Sequence, residues 1–203
     1  MTCTPRIAHS APEILVFLCV TRCESCGLGP LAPLQRDVLE RSSPGQSFTL
    51  PARCAACRTE ARFPFEIQSP DETDRTNATV FNAGSRPSCI IDLTGWLTLY
   101  EMIRQDARRE SDRSVARRFN AQAGDCLGEG LKFYLDAEND LPESSAFHGQ
   151  ASRDLFRADP ARFSRRRLIG LRNALPVVKT SDPAASVTAA DKDIWWWTRR
   201  LQP

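Results

Sequence analysis

No stretch of this 203-residue chain holds the roughly 18 to 20 consecutive apolar residues that span a bilayer. The longest apolar run, residues 14–20, has seven, which excludes a transmembrane helix. Arg6 ahead of that run imitates the basic start of a secretory signal, yet Thr21-Arg22-Cys23 offers no small-residue cleavage site. The run is therefore expected to be a buried strand. Histidine is almost missing, with only His9 and His148, and there is no phosphate-binding glycine loop, no His-Glu-x-x-His and no Gly-x-Ser-x-Gly. The common short-motif chemistries are thereby excluded, and the expectation is that the protein is not an enzyme. Lysine is scarce too, because 24 of the 27 basic residues are arginine. With a pI near 8.2, the chain falls short of the strongly basic character of a dedicated nucleic-acid binder.

Cysteine, by contrast, is plentiful, with eight residues. Four of them form two Cys-x-x-Cys pairs, Cys23-Glu24-Ser25-Cys26 and Cys54-Ala55-Ala56-Cys57. Paired spacing of this kind suits a metal better than disulfides, which makes a reducing cytoplasm the expected setting. A Cys-x-x-Cys hairpin presents two thiolates to one side of an ion, and two hairpins complete a tetrahedron. Gly27 follows the first pair, where a tight turn tolerates positive φ, whereas Arg58 follows the second. The 27 residues from 27 to 53 are enough for a meandering ribbon to bring the pairs together. Cys19, four residues before Cys23, and Cys126, on an apolar helical face, are expected to be buried small hydrophobes.

These residues make the region resemble a zinc ribbon, a likeness that covers about a quarter of the chain. It implies structural Zn2+ held by Cys23, Cys26, Cys54 and Cys57. It does not imply one function, since zinc ribbons serve as nucleic-acid binders, as protein-docking modules or as plain staples. The stretch Pro44-Gly45-Gln46-Ser47-Phe48 with Leu50-Pro51 is similar to the corresponding stretch of rubredoxins, which bind iron and carry electrons. Tetrahedral sulfur alone does not choose between the two metals.

The expected fold class is α+β, a small N-terminal β zinc ribbon followed by a mostly α-helical domain. Residues 12–69 form the ribbon, 70–91 a polar linker, 92–176 the helical domain and 177–203 a flexible tether with a tryptophan-rich tail. Within the ribbon, strands are expected at 14–20, 47–50 and 61–67, with a helical turn over 33–41. Asp92 caps a helix over 93–110, and Ser111 or Asp112 caps a second whose stripe includes Val115, Phe119, Ala123, Cys126 and Leu127. Asp159-Pro160 opens a third, over 160–175.

Two surfaces are candidates for partners. Arg162, Arg165, Arg166 and Arg172 lie on one side of the third helix and could meet phosphates. Trp195, Trp196 and Trp197 could anchor a protein partner or fold back onto their own domain. Membrane contact is not expected. Charge is uneven, with 11 acidic and 7 basic residues over 92–151 against 5 and 11 over 152–203. The leading expectation is an adaptor that binds another protein, and the alternative is a nucleic-acid-binding regulator.

Overall fold

The computed structural model describes residues 4–42, 44–68, 79–134, 139–176 and 196–201. The chain is α+β, with a four-stranded sheet near the N-terminus and helices beyond it. The sheet comprises β1 (Arg6–Ala8), β2 (Leu31–Pro33), β3 (Ser47–Cys54) and β4 (Glu60–Ile67), in the order β1-β4-β3-β2. β2, β3 and β4 are antiparallel neighbours, and β1 adds to β4 in parallel. Side chains alternate across a strand, so Leu50, Ala52 and Cys54 of β3 and Phe63, Phe65 and Ile67 of β4 share the buried face. A short helix, α2 (Arg36–Arg41), lies between β2 and β3 and contributes Leu39 to the same core.

The run 14–20 is a helix and not the expected strand: α1 spans Ala11–Val20. Its cap explains the difference. Ser10 Oγ accepts the Glu13 N–H at 3.2 Å, Pro12 sits in the first turn, and a Glu13 carboxylate oxygen accepts the His9 N–H. The carboxylate thus reaches back to the residue before the N-cap, a variation on the capping box. α1 is apolar all round because it is covered on both sides. Ile14 and Leu18 face the sheet core, while Val16 and Cys19 belong to the helical core. Phe17 meets Phe65 edge-on at a ring distance of 5.7 Å.

The helical region is built on α3 (Leu93–Arg109) and α4 (Arg113–Leu131). Asp92 caps α3 by accepting the Gly95 N–H at 2.8 Å, and Asp112 caps α4 by accepting from Ser114 and Val115. Both caps and both helices match the sequence expectation. α5 (Gln150–Ala158) follows, and the third expected helix is divided at Ser164 into a 3₁₀ turn, Pro160–Phe163, and α6 (Arg165–Asn173). Each piece has its own cap, Asp159 for the first and Ser164 for the second. A last helix, α7 (Trp196–Arg200), returns to the core.

Of the expected linker, residues 70–78 lie outside the described residues, but the segment after them is core. Phe81 is fully buried between Trp96 and Trp197, at ring distances of 5.1 and 5.5 Å. Lys132 Nζ donates to the carbonyls of Asn82 and Gly84 and to Glu129 Oε1, at 3.2, 2.7 and 2.7 Å. Thr79 donates its hydroxyl to the same carboxylate oxygen. The segment passes so close to α4 that a Cβ on Gly128 would lie 3.2 Å from the Thr79 methyl. Among the described residues, no helix is long and apolar enough to cross a membrane.

Candidate metal centre

The first knuckle lies between α1 and β2, and the second is the turn between β3 and β4. Their backbones follow one pattern. Cys23 N–H donates to Leu28 O at 2.5 Å and Gly27 N–H to Cys23 O at 2.8 Å; Cys54 N–H donates to Thr59 O at 2.9 Å and Arg58 N–H to Cys54 O at 3.0 Å. Gly27 has φ +71° and Arg58 φ +65°. The arginine that replaces the second glycine therefore adopts the left-handed conformation that the turn demands, at a steric cost that glycine would avoid. Ala55 N–H donates to Pro30 O at 3.0 Å and ties the two knuckles together.

Register completes the site. Leu31 pairs with Cys54 across β2 and β3, which brings the first knuckle beside the second. The four sulfurs lie within 4.8 Å of one another, with Cys23 and Cys57 sulfurs 3.6 Å apart and Cys26 and Cys54 sulfurs 3.7 Å apart. A disulfide needs about 2.05 Å, so these are separate thiols. A tetrahedron with metal–sulfur bonds of about 2.3 Å has edges of about 3.8 Å, so the donor set and its spacing fit a four-thiolate metal ion. Cys23 and Cys54 are buried, whereas Cys26 and Cys57 face solvent. Hydrogen bonding to Thr59, whose hydroxyl is 3.4 Å from the Cys57 sulfur, holds that thiol down to about 6. At Cys26 a backbone hydrogen bond with Leu28 is outweighed by desolvation and the three neighbouring sulfurs, which push that thiol up to about 12, so the clustered sulfurs share charge between them.

The other expected site residues are not gathered there. Arg162 Nη2 donates to both Glu101 carboxylate oxygens, at 2.8 and 3.0 Å. Arg166 pairs with Asp140 at 3.2 Å, and Arg165 donates its backbone N–H to the Asp140 carbonyl at 2.7 Å. Arg172 stands near Asp125 and partly offsets the rise of that carboxyl. The basic helix is thus laced to its neighbours by internal ion pairs. Trp196 and Trp197 are only 1% and 3% exposed, which corrects the idea that they stand free for a partner. Trp196 Nε1 donates to Asp106 at 2.7 Å and its backbone N–H to Gln122 at 2.9 Å. Trp195 lies outside the described residues. Cys19 and Cys126 are buried, and burial pushes the Cys19 thiol up to about 12. Among the described residues, the four knuckle cysteines are the one group of potential ligands close enough to share an ion.

Sequence reasoning did not single out Arg36, Arg53 and Arg58, which line one hollow beside the second knuckle. Their spacing has no period, and only the pairing of β2 with β3 brings them together. No family model, no curated protein and no solved structure matches this chain.

Proposed function

We propose that the protein is a non-enzymatic adaptor whose ribbon is stapled by one structural Zn2+ and whose surface binds another protein. The observation that carries this reading is the closed set of four sulfurs: a four-thiolate shell has no open position for substrate or water, so the ion would support folding and not reaction. Such a site leaves the ribbon's exterior as its functional part. There Leu28, directly after the first knuckle, is 61% exposed. A hollow of about 390 Å3 between α1, α3 and α5 does contain Asp92 and His148. Both Asp92 oxygens already have structural work, one capping α3 and the other accepting the His148 backbone N–H at 3.2 Å. Zinc, in preference to iron, and a reducing cytoplasm belong to the same reading, since free thiolates must persist for the site to fill.

Metal analysis of the purified chain together with co-purification of partners tests this. Zinc near one equivalent per chain, with a partner that Cys54→Ser protein no longer retains, is the expected result. Iron in place of zinc would reject the staple, and the same protein set on wild type and variant would reject the adaptor. Nucleic acid is the second reading, favoured by Arg166, whose side chain is 87% exposed despite its pair with Asp140. It requires retention on nucleic acid that falls steeply with salt.

A further inference from the structure

Beside the second knuckle runs a groove of about 520 Å3. Its apolar surface includes Pro33, Leu34 and Leu201, and its charge comes from Arg36, Arg53 and Arg58, with no carboxylate among the described residues of the lining. Leu34 is 39% exposed, one of few large hydrophobic side chains so open. β2, which carries Pro33, is the edge strand of the sheet. Pro33 removes one backbone donor from that edge, so it is a poor template for adding a further strand. Recognition must therefore act through side chains.

The three guanidinium groups are held differently. Arg36 donates to the Leu201 carbonyl at 2.8 Å, which fixes the end of α7 as one wall. Arg53 contacts Glu60 through Nε and Nη2, at 3.2 and 2.6 Å, and both bonds fall on a single oxygen. That pair is half-exposed, and exposed pairs of this kind contribute about 1 kcal/mol or less, so it can be exchanged for another carboxylate. Arg58 is exposed and pairs with no carboxylate among the described residues. A small molecule would want a buried polar atom aimed at it, and none of the unpartnered buried polar atoms among the described residues lines this groove. A nucleic-acid strand would want a longer run of cations than three.

We propose that this groove receives an acidic peptide segment of a partner protein, with carboxylates on Arg53 and Arg58 and an apolar side chain between Leu34 and Leu201. The proposal rests on the adaptor reading and gives it a surface and a partner chemistry. The tryptophan-rich tail then acts by building the groove's wall and not by docking elsewhere.

The test uses the full metal-loaded chain as bait for a random dodecapeptide display library, followed by binding measurements on the enriched peptides. Enriched sequences should carry at least two carboxylates and one large apolar residue. Arg53→Gln and Arg58→Gly should each weaken them about fivefold, the scale of one lost exposed ion pair, while the melting temperature is held or raised. Arg58→Gly is the informative variant because it suits the turn. Enriched peptides without acidic residues, or peptides that bind the double variant as tightly as wild type, would overturn the proposal. Displacement of the peptides by a twelve-residue oligothymidylate at lower concentration than by free acidic peptide would also overturn it, in favour of nucleic acid. Should natural partners still co-purify with the double variant, the groove fails while the adaptor reading stands. Should none co-purify with wild type, the adaptor reading itself fails.

Discussion

Arg58 shows how one residue can meet a backbone demand that its type resists. Its φ of +65° matches the +71° of Gly27, and for an L-residue with a side chain the left-handed region costs roughly 1–2 kcal/mol. Glycine would remove that strain but add chain entropy to the unfolded state, an offset of about 0.5–1 kcal/mol. Arg58→Gly should therefore raise the stability of the metal-bound protein by up to about 1 kcal/mol, and Arg58→Val should lower it. Chemical denaturation of the three proteins checks the order. Glu13 poses the opposite case, a charge where none is comfortable. It is fully buried, one carboxylate oxygen has no partner, and burial pushes its pKa up to about 7. Because the folded value exceeds the unfolded one, the contribution is complete below about pH 4.5 and is lost as pH rises through about 7. Glu13→Gln removes that loss while keeping an oxygen for the His9 N–H. It should stabilise the protein at pH 8 by about 1–3 kcal/mol and change little at pH 5, as paired denaturant titrations would show.

At the scale of elements, legibility in the sequence followed the presence of a local signal. α3 and α4 have strong caps and long amphipathic stripes, so both helices and their starts were expected, with both bounds of α3 expected to within a residue. α1 was misjudged because seven consecutive apolar residues carry no period, and a fully covered helix looks like a fully covered strand. Ser10, Pro12 and Glu13 held the missing information as a helix-start signature. The segment 79–91 was misjudged because its polar residues act through distant partners. Asn82, Ser88 and Lys132 are buried, yet nothing in the spacing of 79–91 reveals that a lysine about fifty residues away will bond its carbonyls. That lysine and Glu129 form a buried ion pair at 2.7 Å. Lys132→Met would leave Glu129 charged and unpaired in the core, a loss of about 3–5 kcal/mol. Replacing both, Lys132→Met with Glu129→Leu, should restore a large part of it, because two apolar side chains need no partner. Denaturant midpoints for the single and double variants decide the matter. A double variant as weak as the single would mean that the carbonyls of Asn82 and Gly84, and not the buried charge, dominate.

The cysteine cluster was legible almost completely, since two Cys-x-x-Cys pairs on adjoining turns place four sulfurs within 4.8 Å of one another. What could not be read was how the site is joined to the rest of the molecule. Two core clusters exist, one under the sheet and one among the helices, and α1 supplies side chains to both. Leu201 belongs to the helical cluster while its carbonyl is held by Arg36 of the ribbon, so the chain's last described turn is a second tie. A metal held by the four cysteines would contribute folding free energy to the sheet region, and through α1 and α7 some of it would reach the helices. With metal bound, one cooperative calorimetric transition is therefore expected from the whole chain. Chelation, or Cys54→Ser, should unfold the sheet and strip cover from Ile14 and Leu18. Val16 and Cys19 would keep α1 on the helical side, so most of the helical circular dichroism should survive, with a lowered melting temperature. The emission of Trp96, Trp196 and Trp197, measured with Trp195 replaced by Phe, should shift little, since all three are buried in the helical cluster. Two separate transitions in the metal-bound protein would show that α1 and Arg36 do not couple the cores. Complete loss of helical signal on chelation would show instead that the helices depend on the ribbon to fold.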